Sequence, residues 1–260
     1  MSYVSAVAII LVTTILSVII TIFIQRHVPA AFRRRHHDVG SVVFLQLGVV
    51  FAVLLAFVFS EAWEEYNAAA QAIDLEVGAM HGAAMIAATL PHDQAKTILE
   101  AEQSYLKSVI DHEWAVMAEQ RRESRTTDNR LVTLVTEAAN LALGAARDDD
   151  KKNEVLSLLS KAHEERETRI FQAMNGIPTP LWEVLIAITG ILSLFVSFSA
   201  IEHKGMSIAL SACFVGSIVS ILVIARLLDY PFEGALALRP TDFIAVAGKI
   251  DDLVLHCLRE

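Results

Sequence analysis

The sequence predicts an all-α integral membrane protein, with four transmembrane helices arranged as two hairpins and a helical extramembrane insert between spans two and three. Three observations support this prediction. Of the 260 residues, 54% are hydrophobic and only 20% are charged, which is outside the usual range for a soluble domain. Four stretches contain no charged side chain over about the length that a membrane helix needs. The segment between the second and third stretches is acidic and has helical periodicity.

The four uncharged stretches cover residues 4–24, 39–60, 184–201 and 206–225. A helix rises ~1.5 Å per residue, so about 20 residues cross a hydrocarbon core of ~30 Å. The first stretch is interpreted as a retained helix and not a signal peptide, because Arg26 follows it where a small-residue cleavage site would lie. The predicted domains are the first hairpin (1–60), the acidic helical insert (61–178), the second hairpin (179–228) and a C-terminal tail with a short helix (229–260).

A basic loop between the first two spans predicts the orientation of the chain. It contains four arginines, Arg26, Arg33, Arg34 and Arg35. Short loops rich in arginine remain in the cytoplasm. The insert is therefore predicted to be non-cytoplasmic, in a bacterial inner membrane. The opposite orientation is favoured by four basic residues near the last two spans, which are Lys161, Arg166, Arg169 and Arg226.

The insert carries all of the net charge and is predicted to be helical. Residues 61–178 contain 21 acidic and 12 basic residues, a net charge of −9 that equals the net charge of the whole chain. The second span is predicted to continue into the insert as one long helix that ends before Pro91, because apolar residues recur at steps of three and four. This row consists of Trp63, Tyr66, Ala70, Ile73, Val77, Met80, Ala84 and Ala87. Three more helices are predicted, with Asp128 as the cap of the third helix of the insert and Gly176 after the fourth.

No catalytic, metal or cofactor site is predicted, and the chain is not expected to be an enzyme. His112-Glu113 and His163-Glu164 begin like a zinc-protease signature, but both lack its second histidine and are interpreted as solvated helix surface. Asp148-Asp149-Asp150 lacks the spacing of a calcium loop and is interpreted as an acidic cluster at a helix N-terminus. The acidic composition and the lack of a glycine-rich phosphate loop argue against binding of nucleic acid or nucleotides.

The second span is the candidate wall of a transport pathway. Gln46 lies in its apolar sequence, and a side-chain amide is costly in lipid, so it is expected to face protein or water. Small residues recur at every fourth position, which lets another backbone approach closely. These residues are Gly48, Ala52, Ala56 and Ser60. Packing of helices within one subunit is the alternative explanation of this stripe.

Two groups of charged residues flank the second span. Arg33, Arg34 and Arg35 precede it, and an acidic collar of Glu61, Glu64 and Glu65 follows it. If the second spans of several subunits surround an axis, the acidic collar concentrates cations and repels anions at that end. The alternative explanation is an interfacial anchor at one end and a cytoplasmic retention signal at the other.

Two motifs resemble the bestrophin-like family of bacterial membrane proteins. The first is residues 50–57, VFAVLLAF, followed by Trp63-Glu64-Glu65-Tyr66, and the second is Leu228-Asp229-Tyr230-Pro231-Phe232-Glu233-Gly234 with the later Pro240. The resemblance covers most of the chain. It implies four helical spans with a large insert between spans two and three. The family name is shared with pentameric anion channels, whose termini and insert lie in the cytosol, opposite to what the arginine loop predicts here.

The second motif has a physical interpretation of its own. Pro231 and Gly234 are expected to bend the chain out of the fourth span. Asp229 is expected to pair with Arg226, and Phe232 is expected to anchor at the membrane interface.

Two functions remain open from the sequence. The first is an oligomeric ion channel or permeability protein in which the second span lines the axis, with the lipid bilayer, further copies of the chain and inorganic ions as partners. The second is a non-conducting membrane sensor or scaffold whose insert binds a partner protein.

Overall fold

A computed structural model describes residues 1–35, 37–141, 146–199 and 203–257, and their side chains except those at 30, 34–39, 146–147 and 256–257. All regular secondary structure in these ranges is helical, and four of the helices are long and apolar enough to cross a membrane. The predicted all-α class with four spans is confirmed. The pairing of the spans into two hairpins stays a prediction.

The described helices follow one another in the order α1 (Tyr3–His27), α2 (Ala30–Arg35), α3 (His37–Ala87), α4 (His92–Ser108), a π-helical turn (Val109–Glu113), α5 (Trp114–Gln120), α6 (Arg125–Asn140), α7 (Ala146–Met174), α8 (Thr179–Ser197), α9 (Lys204–Leu228) and α10 (Thr241–Cys257). The chain divides into two compact units. We call Met1–Glu65 with Gly176–Asp229 the membrane unit, and Tyr66–Asn175 with Tyr230–Glu260 the bundle unit.

Helices α1, α8 and α9 of the membrane unit pack against one another. Their contact carries buried hydroxyl groups. The Ser17 and Ser211 hydroxyls are hydrogen-bonded at 2.7 Å, and Thr21 is hydrogen-bonded to Ser197 and to Ser211 at 2.9 Å. Hydroxyls that pair between helices remove the cost of a polar group in hydrocarbon and hold the helices together. The three helices are therefore joined by specific polar contacts as well as by apolar packing.

Helix α3 is a single helix of 51 residues. It is far longer than the roughly 20 residues that a membrane crossing requires. The prediction that the second span continues into the insert is confirmed. The helix ends at Ala87, and Pro91 is the cap residue of α4, as expected for a residue that lacks the backbone N–H a helix interior requires.

The bundle unit has a hydrophobic core of its own. The later part of α3 contributes Met80 and Ala84, α4 contributes Leu99 and Leu106, and α6 contributes Leu134, all of them fully buried. Most residues of the predicted row from Trp63 to Ala87 lie in this core. Trp63 does not, because it is half exposed.

The loop between α5 and α6 differs from the prediction in its capping residue. Ser124 caps α6, and its side chain accepts a hydrogen bond from the backbone N–H of Thr127. Asp128 lies inside the first turn of α6, where its charge interacts favourably with the helix dipole, and it also contacts Arg166. The expectation that Asp128 caps this helix is wrong, because a serine three residues before Thr127 is already placed to do so.

The C-terminal segment forms α10, a helix of 17 residues that packs against α4. Phe243, Val246, Ile250 and Val254 recur at steps of three and four along it, and all four are buried in the core of the bundle unit. The bundle unit is thus completed by a segment that follows the last span in the sequence.

Candidate functional site

The described part of the subunit leaves most of the small-residue stripe of α3 exposed. Ala52, Ala56 and Ser60 are exposed and Gly48 is half-buried. The buried face of the same span is formed by other residues, including Phe51, Leu55 and Val58. The alternative explanation, in which the stripe packs within one subunit, therefore accounts for little of it. The stripe is free to meet a neighbouring subunit or water.

Gln46 is also exposed in the subunit. Its side-chain amide makes no hydrogen bond to any residue that the structure describes. An amide with no partner costs several kcal/mol when it is moved into an apolar medium. Gln46 therefore requires water or another subunit beside it.

A row of bulky apolar residues lies next to the small stripe, and the sequence-based interpretation missed it. Val49, Val53 and Phe57 are spaced by four residues and are 58%, 52% and 70% exposed. Residues with this spacing share one face of a helix. The sequence signal was present, but apolar residues in an apolar span do not by themselves indicate which face is free.

The three glutamates of the acidic collar differ in their surroundings. Glu61 and Glu64 are exposed, and Glu64 accepts a hydrogen bond of 3.2 Å from the Ser60 hydroxyl. Glu65 is half-buried, and its Oε2 is buried with no hydrogen-bond partner in the described part of the chain. The collar therefore presents two freely hydrated carboxylates and one that is partly withdrawn from solvent.

The basic loop before the second span is described only in part. Arg33 is half-buried, and its Nη1 donates a hydrogen bond of 3.0 Å to the backbone carbonyl of Ser199, just after α8. The side chains of Arg34 and Arg35 lie outside the described residues. Arg33 thus ties the loop between spans one and two to the loop between spans three and four.

The motif after the fourth span has a structural role at the end of α9. Arg226 Nη1 and Asp229 Oδ2 are 2.6 Å apart, so the predicted pair is confirmed. Asp229 is buried, and its Oδ1 accepts a hydrogen bond of 2.7 Å from the backbone N–H of Ile177. Asp229 therefore connects the end of the fourth span to the entrance of the third.

The residues of this motif from Tyr230 onward belong to the bundle unit. Phe232 is buried and its ring lies 5.4 Å from that of Trp114, so the expectation that it anchors at the membrane interface is wrong. Burying an aromatic ring in the core removes more of its surface from water than an interface does.

The predicted bend after the fourth span is present. The Pro231 carbonyl accepts a hydrogen bond from the backbone N–H of Leu238, and Gly234 has a φ of 80°, a conformation that favours glycine. Tyr66 donates a hydrogen bond of 3.0 Å to the Leu236 carbonyl.

A buried ionic cluster in the bundle unit was not predicted. Glu76, Glu113, Arg166 and Arg169 have fully buried side chains. Arg169 lies between the two glutamates, with its Nε 2.7 Å from Glu76 Oε2 and its Nη2 2.9 Å from Glu113 Oε2. Arg166 Nη2 lies 2.7 Å from Glu113 Oε1. The interpretation of His112-Glu113 as solvated surface is therefore wrong for Glu113, although His112 is exposed.

The charges of this cluster stabilise one another. Burial opposes ionisation of Glu113, but Arg169 and Arg166 outweigh it and hold the pKa of Glu113 below its usual value. Burial also opposes the charge of Arg169, yet Glu76 and Glu113 raise the pKa of this guanidinium above its usual value. Tyr105 is buried beside them and donates a hydrogen bond of 2.6 Å to Glu76 Oε1. Burial, followed by the charge of Glu76, raises the pKa of Tyr105 well above its usual value.

Glu102 is buried outside this cluster. Both carboxyl oxygens are buried and have no hydrogen-bond partner in the described ranges. Burial raises the pKa of Glu102 well above its usual value of 4.5, because the charged carboxylate loses its hydration there. Glu102 lies on the apolar face of α4.

Comparisons with known proteins agree with this architecture. The model of the Bestrophin-like domain matches residues 11–243. Two crystal structures of a bacterial Bestrophin homolog from Klebsiella pneumoniae, each with a single substitution, are similar in fold. The first has a TM-score of 0.72 at 17% identity, and the alignment covers 95% of this chain and 99% of the homolog. The second has a TM-score of 0.71 at 15% identity, and the alignment covers 98% of this chain and 99% of the homolog. A further crystal structure, of a membrane protein with a single substitution, has a TM-score of 0.70 at 16% identity. The alignment covers 95% of this chain and 98% of that one. None of the curated proteins matches the sequence.

Proposed function

Because the chain belongs to the Bestrophin-like family, whose domain model covers residues 11–243, we propose that it forms a homo-oligomeric ion channel in a bacterial membrane, with α3 lining the axis. The observation that carries this proposal is the free face of α3. Gln46 and the stripe from Ala52 to Ser60 are exposed in the single subunit, although they lie in a membrane span. Around a central axis, the same face meets water and the α3 helices of neighbouring subunits.

The small residues suit the interface between subunits. Ala52, Ala56 and Ser60 leave room for a neighbouring backbone, and close approach is what stabilises helix association in lipid. Gln46 then faces the aqueous side or pairs across the interface, which removes its cost in hydrocarbon. Both features are satisfied by one arrangement, in which identical α3 helices surround a common axis.

The free face of α3 divides such a pathway into three zones. Gln46 lies at one end, the apolar row of Val49, Val53 and Phe57 lies in the middle, and Ser60 leads to the acidic collar. A ring of apolar side chains closes a pore to ions by excluding water. A ring of carboxylates raises the local cation concentration. The apolar row is thus the proposed gate of the pathway. The acidic collar is the proposed selectivity element at the mouth of the pathway.

We propose that the protein lies in the inner membrane with the loop of Arg26 and Arg33–Arg35 in the cytoplasm and the insert on the other side. The positive-inside rule supports this orientation. Three basic residues that argue against it are paired in the folded chain, because Arg166 and Arg169 belong to the buried ionic cluster and Arg226 pairs with Asp229. Acidic partners within the fold therefore neutralise these three residues and reduce their weight against this orientation.

The proposal is tested with the purified chain in liposomes and in planar bilayers. A channel gives single-channel currents, and native mass spectrometry of the same preparation gives a closed ring of identical subunits. A monomer or dimer that never conducts, in bilayers of several lipid compositions, contradicts the proposal. That result favours the non-conducting sensor or scaffold, in which the bundle unit binds a partner protein and the spans act as anchors.

A further inference from the structure

The membrane unit contains a large apolar groove that the proposed pathway does not use. Its volume is about 880 Å³, within the range of about 300–1,000 Å³ that is usual for ligand sites. Residues of α2, the start of α3, the end of α8 and the middle of α9 line it. Five of the lining residues are phenylalanines, Phe32, Phe44, Phe195, Phe198 and Phe214. The Phe44 ring lies 6.2 Å from that of Phe195 and 5.7 Å from that of Phe214.

The polar end of the groove is formed by Arg33 and Ser199. Arg33 is held in place by the hydrogen bond from its Nη1 to the Ser199 carbonyl. Two further polar atoms at this end are buried and have no partner among the described residues, namely Nε of Arg33 and Oγ of Ser199. Buried polar atoms without partners are rare in native proteins and indicate a missing ligand, ion or water. One of the two is part of a cation, so the missing group has to be an acceptor.

We propose that this groove binds an anionic phospholipid, with the headgroup phosphate on Arg33 and Ser199 and an acyl chain along the phenylalanines. A phosphate oxygen accepts the hydrogen bonds of Arg33 Nε and the Ser199 hydroxyl, and its charge matches the guanidinium. The apolar lining accommodates hydrocarbon. The proposal does not depend on ion conduction, because Arg33, Ser199 and the phenylalanines do not belong to the free face of α3.

Charge and position favour this occupant over others. None of the groove-lining residues that the structure describes is acidic, and four arginines lie in the adjoining loop sequence. Arg33 contacts the chain just after α8 ends, which is the level of a span terminus where headgroups lie. Basic pockets between membrane helices are typical sites for anionic headgroups. A free phosphate would satisfy Arg33 but would leave the apolar groove empty.

The test measures phospholipid binding to the full-length protein. The chain is reconstituted in nanodiscs of phosphatidylcholine with a minor fraction of phosphatidylglycerol, and native mass spectrometry counts the lipids that remain bound. We expect one phosphatidylglycerol per subunit to be retained in preference to phosphatidylcholine. Arg33→Gln is expected to lower phosphatidylglycerol affinity by about tenfold or more, the effect of losing a charge-assisted contact. Arg33→Lys is expected to retain part of the preference.

Two control variants separate headgroup binding from other effects. Arg26→Gln removes an exposed arginine that does not line the groove, and it is expected to bind phosphatidylglycerol like the wild type. Val43→Trp fills the groove from a half-exposed position and leaves Arg33 unchanged, and it is expected to lower retention of phosphatidylglycerol as well. Circular dichroism and gel filtration verify that each variant is folded.

Three results would overturn the proposal. The first is equal retention of phosphatidylglycerol by Arg33→Gln and the wild type in folded protein. The second is displacement of the bound lipid by inorganic phosphate alone, which identifies a free-anion site. The third is a change of subunit number in Val43→Trp with no change in bound lipid, which identifies the groove as an interface between copies of the chain.

Discussion

Buried charged residues hold helices of the bundle unit together. Arg169 replaces its lost hydration with two carboxylates, and its guanidinium also lies 5.4 Å from the centre of the Trp114 ring and 5.3 Å from that of Phe243. Removing one partner of a buried pair leaves an uncompensated charge, which costs more than the pair itself contributes. The cluster therefore fixes how α3, α4 with its π turn, and α7 pack in this unit.

Replacing Arg169 with methionine is expected to destabilise the protein strongly. Glu76 and Glu113 then lose their shared cation, and the expected loss in the free energy of unfolding is about 3–5 kcal/mol. Denaturant unfolding followed by circular dichroism measures this loss. Lys161→Met on the exposed side of the same helix is the control and should change stability by about 0.5 kcal/mol or less.

The double variant Arg169→Met with Glu76→Met extends this test. It removes one of the stranded carboxylates, so it is expected to recover part of the stability lost in Arg169→Met. Additive losses in the double variant would contradict a coupled cluster.

Replacing Glu102 with glutamine is expected to stabilise the protein increasingly as the pH rises. The folded chain keeps Glu102 protonated because burial raises its pKa, whereas the unfolded chain ionises it above its usual 4.5. The unfolded state thus binds fewer protons above that pH, and wild-type stability falls by up to about 1.4 kcal/mol per pH unit until the raised pKa is reached. Glutamine does not titrate, so the variant lacks this loss.

The measurement compares the unfolding free energies of Glu102→Gln and the wild type from pH 4 to pH 9. The difference should be smallest at the acid end and should grow above pH 4.5. Glu100→Gln, an exposed position on the same helix, shows whether the effect requires burial. A pH-independent difference at Glu102 would contradict a raised pKa of this carboxyl in the folded chain.

At the scale of elements, α3 shows what sequence periodicity can and cannot predict. Its length was predictable because a charge-free run passes without a break signal into a three-and-four repeat that ends before Pro91. The ionic cluster was not predicted, although Arg166 and Arg169 continue the apolar row of Val155, Leu159 and Ala162 at steps of four and three. A single sequence does not reveal that carboxylates on α3 and on the π turn pair with these two arginines. In the sequence, the charged residues of the cluster therefore resemble solvated surface.

The free face of α3 was predicted only in part, for a related reason. The small stripe and Gln46 are visible in the sequence as exceptions to an apolar composition. The row of Val49, Val53 and Phe57 is not visible in this way, because exposure depends on which face the other helices cover. Helix α10 was predicted as a short helix in a tail, and its packing against α4 depends on contacts far apart in the sequence.

Cysteine accessibility tests the environment of the free face of α3. Single cysteines at Gln46, Val49 and Val53, in a background that lacks Cys213 and Cys257, are expected to react with a small water-soluble thiol reagent while the channel conducts. Ile19→Cys is the control, because Ile19 is exposed on α1 in a span that is expected to face lipid. Reaction at the α3 positions and not at Ile19 is the expected result. Equal protection of all four positions would contradict a water-filled axis.

For the whole molecule, the orientation in the membrane decides which compartment the bundle unit meets. Single cysteines at Asn129 and at Asp149, both exposed, are expected to react with a membrane-impermeant thiol reagent added to intact spheroplasts. A cysteine at the exposed Lys204, beside the loop between spans three and four, is expected to react only after lysis. The reverse pattern would place the insert in the cytosol, as the family resemblance implies.

The central claim is that α3 lines an ion pathway whose mouth carries the acidic collar, and the reversal potential tests it most directly. The triple variant Glu61→Gln, Glu64→Gln and Glu65→Gln is compared with the wild type under a potassium chloride gradient at low ionic strength, where screening is weak. The control variant Glu119→Gln, Glu123→Gln and Glu154→Gln removes three exposed charges of the bundle unit and matches the change in net charge. We predict that the reversal potential shifts toward that of chloride in the collar variant and stays at the wild-type value in the control. Conductance with the same reversal potential in all three proteins would contradict the claim that the collar surrounds the pathway.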